Sequence, residues 1–428
     1  MKALQTGVRR TSVMVLGVGS FAQSVTQILK EDGADVATYL NRDYGHYPPS
    51  LPGPTFANGA GPDLIAALRR RAVELLIPQS IDWAQAPWAE ALLRSGVGFL
   101  CATGEAMRIE RDRAFAGQLC MEFGIPFPAS FVARDRAQAD AVLASDPGAY
   151  VIKNPLCAPT SPVHTIVCES AAATRTWLGS VDYAEGVFLQ EFAGRREAGH
   201  IVMVSAGEIH SLVTNQEYKR AFTGNLGIVA GSPLGGIVEA DPEDKYGLAR
   251  ELIHPLRPWL RAVNFHGPLQ VTAVKRGGRW CVIEYNIRIG VTSGPMLLRL
   301  LVNPLATLLA VAGNQPVWPQ FRPERRFGAS VTLAGYGYPY PAIKGPPVPV
   351  DIDPQLDETD ADVWWSDVER SPEGDWVAVG QRIADVIGFG AELPAALARA
   401  YRNVRCLHSA GSYYRTDIGQ SLWPPGCD

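Results

Sequence analysis

The stretch from Trp280 to Arg288, Trp-Cys-Val-Ile-Glu-Tyr-Asn-Ile-Arg, limits the fold of this chain more than any other part of its sequence. β-Branched and aromatic residues dominate it, which favours a β-strand. The Gly277-Gly278 pair before it predicts a hairpin turn whose other strand covers residues 269–275. Because side chains alternate across a strand, two opposite faces are predicted. They carry Glu284, Asn286 and Arg288 on one side, and Ile283, Tyr285 and Ile287 on the other.

The first of these faces combines a carboxylate, an amide and a guanidinium in one short polar row. Glu284 and Asn286 offer the hard oxygen ligands that suit Mg²⁺. Arg288 offers a fork of donors for a phosphate or a carboxylate. The alternative is that the row is the solvated face of an antiparallel sheet, and periodicity alone does not separate the two interpretations.

Composition places the chain among ordinary soluble globular proteins. Its 428 residues predict roughly two to four domains, and 47% hydrophobic with 19% charged residues is unlike a disordered protein. The net charge of −4 gives no electrostatic reason to expect nucleic acid or a membrane as a partner, and no apolar run is long enough to span a bilayer. Seven cysteines without a Cys-x-x-Cys pair argue against a disulfide framework or a zinc site, so we expect a cytoplasmic protein.

Residues 1–102 show alternating strand and helix patterns that predict a small parallel α/β domain. The strands are predicted at 12–16, 36–40 and 73–78, and the helices at 21–30, 64–72 and 88–95. The turn Gly17-x-Gly19 before the first helix is a Rossmann-like anion-binding arrangement. The third glycine of the dinucleotide fingerprint is missing, which favours a turn of this kind without a nicotinamide cofactor.

Two basic residues stand at the ends of predicted elements farther along the chain. Arg113 lies in a helical stretch, residues 104–124, which ends in a Gly-Ile-Pro sequence that closes a helix. Lys153 closes an apolar strand, residues 149–153. On residue type alone, a lysine at the end of a strand is usually only solvated.

A second group of polar residues follows the predicted strand 187–192. Glu197 comes shortly after it, where an acid is usually on a solvated turn. The pair Lys219-Arg220 precedes a glycine-containing segment, residues 222–236, whose glycines permit close approach of the backbone to a small carboxylate. For any one of these glycines, a turn-rich surface loop is the alternative.

In order and spacing these motifs resemble those of the ATP-grasp ligases, and most of all the phosphoribosylamine–glycine ligase family; the likeness runs nearly end to end. It implies a multi-domain α/β ATP-grasp fold. Residues 1–102 would form a Rossmann-like N-terminal domain, and residues 103–325 the ATP-grasp domain with a nucleotide lid at about 126–189. Residues 326–428 would form a C-terminal α/β domain, with strands at 328–336 and 380–388, a helix at 393–404 and an exposed acidic loop at 351–362.

The resemblance also implies roles for individual residues. It assigns the phosphates of ATP to Arg113 and Lys153, the adenine edge to Gln190, Glu191 and Phe192, and the ribose to Glu197. It assigns Mg²⁺, or Mn²⁺ in its place, to Glu284 and Asn286, and the reacting phosphate and acyl-phosphate oxygens to Lys219, Arg220 and Arg288. It assigns the small substrate to Gly224, Asn225, Gly227 and Arg415, although Arg415 and Asp417 alone are most simply a local ion pair.

The implied chemistry is formation of an amide bond from a small carboxylate and an amine, with release of ADP and phosphate, by a monomer or homodimer. Two segments depart from the family pattern. The phosphate-covering loop, residues 154–162, contains no glycine and three prolines, which have no N–H to donate. Either the side chains of Thr160, Ser161 and His164 cover the phosphates, or ATP is held differently, or catalysis is impaired. Residues 78–82, Pro-Gln-Ser-Ile-Asp, replace an acidic segment of the family.

Three functions are therefore open. The first, which we favour, is a divergent ligase that joins another small carboxylate and amine in a biosynthetic pathway. The second is phosphoribosylamine–glycine ligase itself. The third is a non-catalytic nucleotide-binding protein of the same fold, against which the combination of Lys153, Glu284, Asn286 and Arg288 argues.

Overall fold

The computed structural model describes residues 10–40, 53–57, 64–157, 165–340, 343 and 345–420. The strands are β1 (Ser12–Leu16), β2 (Asp35–Leu40), β3 (Thr55–Ala57), β4 (Leu75–Pro78), β5 (Gly98–Phe99), β6 (Ser130–Ala133), β7 (Tyr150–Lys153), β8 (Ile166–Val167), β9 (Val187–Glu191), β10 (Glu197–Ser205), β11 (Glu208–Glu217), β12 (Arg220–Phe222), β13 (Leu226–Val229), β14 (Gly235–Ala240), β15 (Gly267–Arg276), β16 (Arg279–Asn286), β17 (Phe327–Ala334), β18 (Val348–Pro349), β19 (Asp351–Ile352), β20 (Ala361–Trp365), β21 (Val368–Arg370), β22 (Trp376–Ala378), β23 (Arg382–Gly390) and β24 (Leu407–His408). The helices are α1 (Gly19–Glu31), α2 (Leu64–Arg71), α3 (Ala89–Leu93), α4 (Arg108–Arg111), α5 (Arg113–Glu122), α6 (Arg136–Ser145), α7 (Ala171–Leu178), α8 (Leu248–Leu252), α9 (Arg257–Ala262), α10 (Ser293–Leu300), α11 (Pro304–Ala312) and α12 (Leu393–Val404). Short 3-10 helices cover Ile81–Gln85, Gly104–Met107 and His254–Leu256.

The N-terminal region forms a five-stranded sheet in the order β3-β2-β1-β4-β5, and every strand pair in it is parallel. All five residues of β1 are buried, as expected for an apolar strand covered on both faces by crossover helices. The parallel α/β fold predicted for this region is confirmed.

The largest sheet has eight strands in the order β16-β15-β10-β11-β14-β17-β23-β20. The predicted hairpin is confirmed, because β15 and β16 pair antiparallel around Gly277 and Gly278, whose φ angles are 56° and 81°. At the other end, β14 pairs with β17. The sheet thus runs without interruption past residue 325, where the resemblance implies a domain boundary. The domain limits remain a prediction.

A β-bulge corrects the predicted faces of β16. Thr272 pairs with Glu284, but the next residue of β15 pairs with Val282, so that Ile283 is the extra residue. Trp280 and Val282 therefore share the core face with Tyr285 and Ile287, and Ile283 does not. The bulge shifts the alternation of side chains by one residue. The predicted face is therefore wrong for Ile283 only, since Glu284, Asn286 and Arg288 still share a face.

The helical stretch predicted as one unit at residues 104–124 is divided in two. Asp112 has an extended backbone between α4 and α5, and its carboxylate accepts the N–H of Phe115 at 3.0 Å. An aspartate at a helix start satisfies backbone donors that have no partner within the helix. The break turns Arg113 towards the large sheet and leaves Glu110 on a separate short helix.

A four-stranded sheet, β6-β9-β7-β8, lies where the nucleotide lid is predicted. With α6 and α7 it encloses a small core of its own, which includes Tyr150, Ile152 and Leu189. Its link to the large sheet is polar, because Gln190 Nε2 donates to the carbonyl of Ile283 at 3.1 Å. The assignment of this unit as a lid remains a prediction.

In the C-terminal region α12 covers β17 and β23. A Cβ at Gly388 would lie 2.1 Å from the carbonyl oxygen of Ala396, so the close approach of this helix requires glycine there. The expected exposed loop at 351–362 is partly wrong: Asp362 lies in β20 and pairs with Arg299 at 2.8 Å. Across the described part of the chain, no helix is both long and apolar enough to cross a membrane.

Candidate active site

Residues that are far apart in the sequence meet around Glu284 on β16. One carboxylate oxygen lies 3.3 Å from Lys219 Nζ and the other 4.0 Å from Arg113 Nη1. Lys219 also binds Glu197 at the start of β10, with 2.9 Å between Nζ and Oε2. The structure therefore brings four of the predicted site residues, Glu284, Lys219, Arg113 and Glu197, into one partly buried cluster.

The opposite charges in this cluster shift the pKa values of Glu284 and Lys219. Burial opposes ionisation of Glu284, but the positive charges of Lys219, Lys153 and Arg113 outweigh it and hold the pKa of this carboxyl well below its usual range. Burial likewise opposes the charge of Lys219, and nearby carboxylates, chiefly Glu197 and Glu284, raise its pKa above the usual value. Both groups are thus ionised at neutral pH.

Lys153 lies deeper than the rest of the cluster. Its side chain is 2% exposed, and Nζ donates to Gln190 Oε1 at 2.9 Å. Burial lowers the pKa of Lys153 to about 8, although the charge of Glu284 opposes the shift. A buried ammonium with one neutral acceptor is poorly compensated, so an incoming phosphate would improve its environment.

The predicted adenine-binding strand is present as β9, but its end is already engaged. The backbone N–H groups of Glu191 and Phe192 donate to the carbonyls of Ala129 and Ala149, each at 2.8 Å. The Glu191 carboxylate pairs with Arg276 at 2.6 Å. Recognition of adenine by these residues remains a prediction, and the two N–H groups named here would have to leave their carbonyl partners to take part in it.

Arg220 is paired with a different acid, Glu169, in this structure. Its guanidinium binds Glu169 at 2.8 Å and the carbonyl of Gly227 at 2.7 Å. Glu169, which lies just before α7, also accepts a hydrogen bond from Arg195 Nε at 2.9 Å. Glu169 and Arg195 were not singled out from the sequence, because an isolated acid and an isolated arginine on loops carry no local pattern.

The segment predicted to hold the small substrate is a hairpin of β12 and β13. Gly224, Asn225 and Gly227 have φ angles of 77°, 57° and 80°, which belong to the left-handed region that glycine and asparagine tolerate best. The N–H of Gly224 donates to Asp417 at 3.1 Å. The turn is therefore tied to the C-terminal end of the described chain.

Arg415 forms the other half of this tie. Its side chain is fully buried, its guanidinium makes two bonds to Asp417 at 2.9 and 2.7 Å, and it donates to the carbonyl of Arg220 at 2.8 Å. Because no part of the Arg415 side chain is exposed in this structure, its direct contact with a substrate stays a prediction, and the observed contacts give it a role in fixing the hairpin.

Replacement of Arg415 by methionine should therefore lower the free energy of unfolding by about 3 kcal/mol, the typical cost of leaving a buried partner uncompensated. Urea denaturation would measure it. Arg402→Met is the control, since Arg402 pairs with Asp357 on the surface, where both side chains are about half exposed, and a change within about 0.5 kcal/mol is expected. An Arg415→Met variant as stable as the wild type would contradict the structural role.

The oxygen donors on this face fit a Mg²⁺ ion. The carboxylate of Glu284 and the amide of Asn286 are half-buried neighbours on one face of β16, and Gln270 stands opposite Asn286 on β15. Among the described residues, Gln270 Oε1 is buried and accepts no hydrogen bond. A hard cation with retained waters would satisfy such a set of oxygens.

Comparisons with known proteins identify relatives of this chain. The family model of the phosphoribosylglycinamide synthetase C domain matches residues 329–421. The phosphoribosylamine–glycine ligase of Streptomyces coelicolor is 30% identical over 342 residues, covering 77% of this chain and 80% of the relative.

Solved structures show the same fold. The phosphoribosylamine–glycine ligase of Thermotoga maritima superposes with a TM-score of 0.73 at 20% identity, covering 95% of this chain and all of that one. The biotin carboxylase domain of Hydrogenobacter thermophilus 2-oxoglutarate carboxylase, solved with MgADP and bicarbonate, has a TM-score of 0.70 at 13% identity, covering 94% and 91% of the two chains. The chain belongs to the phosphoribosylamine–glycine ligase family of C–N bond-forming ATP-grasp ligases.

Proposed function

We propose that this protein is an ATP-dependent carboxylate–amine ligase that activates a small amino-acid-like carboxylate as an acyl phosphate and transfers it to an amine, with release of ADP and phosphate. The observation that carries the proposal is the convergence of Glu284 with Lys219, Arg113 and Lys153, which brings three cations to one ionised acid of the proposed metal pair. Positioning and neutralisation of charge account for most of the catalysis expected in phosphoryl transfer.

The residues of this chain have separable tasks in the proposed reaction. Lys153 and Arg113 would hold phosphate oxygens of ATP, and Glu284 with Asn286 would hold Mg²⁺. When bound there, Mg²⁺ would neutralise charge that develops on the phosphates. The structure of a biotin carboxylase solved with MgADP on the same fold supports this choice of nucleotide and metal. Arg288 and Lys219 orient the carboxylate and stabilise its acyl phosphate.

Arg220 needs a change of partner before it can act on a phosphate. It is paired with Glu169 in this structure, and the guanidinium fork that binds a carboxylate also binds a phosphate, which carries more charge. We infer that arrival of the nucleotide draws Arg220 from Glu169 towards the phosphate.

The N-terminal glycine turn supports an amine other than phosphoribosylamine. The N–H of Val18 donates to Gln79 Oε1 at 2.8 Å, and the Ser20 hydroxyl donates to Asp385 at 2.6 Å. A Cβ at Gly19 would lie 2.7 Å from Ser366 Oγ. The N–H of Val18 and the hydroxyl of Ser20 are thus already bonded within the protein, which leaves fewer donors at the start of α1 for a phosphoribosyl group.

The proline-rich loop bears on the non-catalytic alternative. Thr160, Ser161 and His164, which the sequence suggested as phosphate-covering side chains, lie outside the described residues. Pro155 is described, and its carbonyl accepts the N–H of Arg113 at 3.2 Å. The beginning of the loop therefore supports Arg113 directly, which is consistent with a working phosphate site.

The proposal is tested by measuring ADP and phosphate release from Mg-ATP with a matrix of small carboxylates and amines, including glycine with phosphoribosylamine. Release that depends on one carboxylate–amine pair lacking the phosphoribosyl group would support the proposal. Release with glycine and phosphoribosylamine alone would establish phosphoribosylamine–glycine ligase activity instead. ATP binding measured by calorimetry with no release across the matrix would favour the nucleotide-binding alternative.

A further inference from the structure

The carboxylate of Glu169 is held by two arginines from different parts of the chain, and each of its oxygens is bound by one of them. Oε1 accepts from Arg220 Nη2 at 2.8 Å. Oε2 accepts from Arg195 Nε at 2.9 Å and also from Arg195 Nη2. We propose that Arg195 and Arg220 form a binding site for a phosphate group, and that Glu169 occupies this site until the phosphate arrives. The proposal rests on the proposed function insofar as it takes phosphates to bind near Lys219.

The two arginines are tied to the cluster around Glu284. Arg195 lies two residues before Glu197, and Arg220 directly follows Lys219. Glu197 and Lys219 are paired, with 2.9 Å between Oε2 and Nζ, and the same Nζ lies 3.3 Å from Glu284. Because these two short segments meet at the Glu197–Lys219 pair, the arginines are held near the proposed metal and phosphate site.

The charges at Glu169 suit a phosphate better than a carboxylate. Two guanidinium groups carry two positive charges, and Glu169 supplies one negative charge and two oxygens. A phosphate group supplies nearly two negative charges and three acceptor oxygens, and the planar fork of arginine matches either anion. Glu169 therefore resembles the phosphate in geometry and falls short of it in charge.

Removal of Glu169 from the arginines should require little free energy. The side chain of Arg195 is 65% exposed and that of Glu169 is 26% exposed. Ion pairs that solvent can reach contribute little to stability. A phosphate that reaches the two arginines can therefore replace the carboxylate.

Arg220 is held by contacts that do not involve Glu169. Its Nη1 donates to the carbonyl of Gly227 at 2.7 Å, and its own carbonyl accepts from Arg415 Nη1 at 2.8 Å. Glu169 lies in the predicted lid, between β8 and α7. One edge of the Arg220 guanidinium can thus stay fixed while the other edge exchanges Glu169 for a phosphate.

The test is calorimetric binding of ATP with Mg²⁺ and, separately, of inorganic phosphate, neither of which requires turnover. Glu169→Gln removes the competing charge and keeps the size of the side chain. The affinity for the phosphate ligand should therefore increase by about fivefold, the change expected for a partly exposed ion pair. A gain for ATP would identify a phosphate of the nucleotide as the ligand. A gain for inorganic phosphate alone would identify free phosphate.

Two further variants separate this site from a general effect of charge. Arg195→Gln should lower the affinity for the same ligand by about fivefold, and Glu169→Gln combined with Arg195→Gln should lose the gain, because one of the two arginines is missing. Asp140→Asn is the matched control. It removes the acid of another pair in the predicted lid, Arg136–Asp140 at 2.8 Å, and neither affinity should change.

Unchanged affinities for both ligands in Glu169→Gln would overturn the proposal. A gain as large in the double variant as in Glu169→Gln would also overturn it, and so would a wild-type protein that binds neither ligand. ATP binding that responds to Glu169 and Arg195, with no ADP release from any substrate pair, would refute the ligase and leave the phosphate site standing. ADP release from a protein whose ligand affinities do not respond to these two residues would have the opposite meaning.

Discussion

Replacement of Glu284 by glutamine should reduce ADP formation by about 10³-fold or more. Glu284 is the charged oxygen donor of the proposed metal pair, and its carboxylate is held ionised by Lys219, Lys153 and Arg113. Loss of metal-based stabilisation removes several kcal/mol from the transition state, and about 4 kcal/mol corresponds to roughly 10³ in rate. Initial rates of ADP release at saturating Mg-ATP would measure it.

The control for this variant is Glu208→Gln. Glu208 is an exposed acid that pairs with Arg257 and Arg261 at 2.7 and 3.0 Å, on the turn side of β11. Surface pairs of this kind contribute little to stability, so turnover should not change. If Glu284→Gln and Glu208→Gln both turned over at the wild-type rate, β16 would not be the metal strand. The proposed mechanism would then be wrong.

The parts of the fold that the sequence predicts well are those with a local cause. Alternation and the Gly277-Gly278 turn predict the β15–β16 hairpin, and apolar runs interleaved with helical patterns predict the parallel N-terminal sheet. Lys153 and Arg113 became candidates through the family resemblance alone, since single basic residues at the ends of strands and helices are common without function.

The parts that could not be predicted depend on pairing across long stretches of chain. The bulge at Ile283 arises from the register of β15 against β16, and neither strand alone shows it. From the sequence, Glu110 is an ordinary helical acid, and only the structure shows that it accepts the N–H of Ile287. The same holds for Glu169, since only the structure shows that it pairs with Arg220. Tertiary contacts, and not local propensity, assign these residues.

Lys153 shows how a group suited to binding a ligand can lower the stability of the protein when no ligand is bound. It is buried against one amide oxygen, with Arg113 and Lys219 adding repulsion and Glu284 attraction. Because the pKa of Lys153 in the folded protein, about 8, is below the usual value of 10.5, the unfolded chain holds more protons between these two pH values. Stability due to this group should therefore rise with pH across that window and be lowest below pH 8.

Lys153→Met should separate stability from binding. At pH 7 the variant should unfold at the same or a higher urea concentration than the wild type, because a desolvated charge is removed, and that advantage should vanish as the pH approaches 10.5.

The affinity of Lys153→Met for ATP should fall by about 10²-fold, as expected for loss of one buried charge-assisted contact to phosphate. In the wild type the Kd for ATP should rise above pH 8, approaching roughly tenfold per pH unit, because binding requires the ammonium form, and Lys153→Met should lack this slope. Calorimetric titrations between pH 7 and 9.5 would show both effects. An unchanged Kd in the variant, or the same pH slope in both proteins, would mean that Lys153 is a structural residue of the lid core and that the phosphates are held elsewhere.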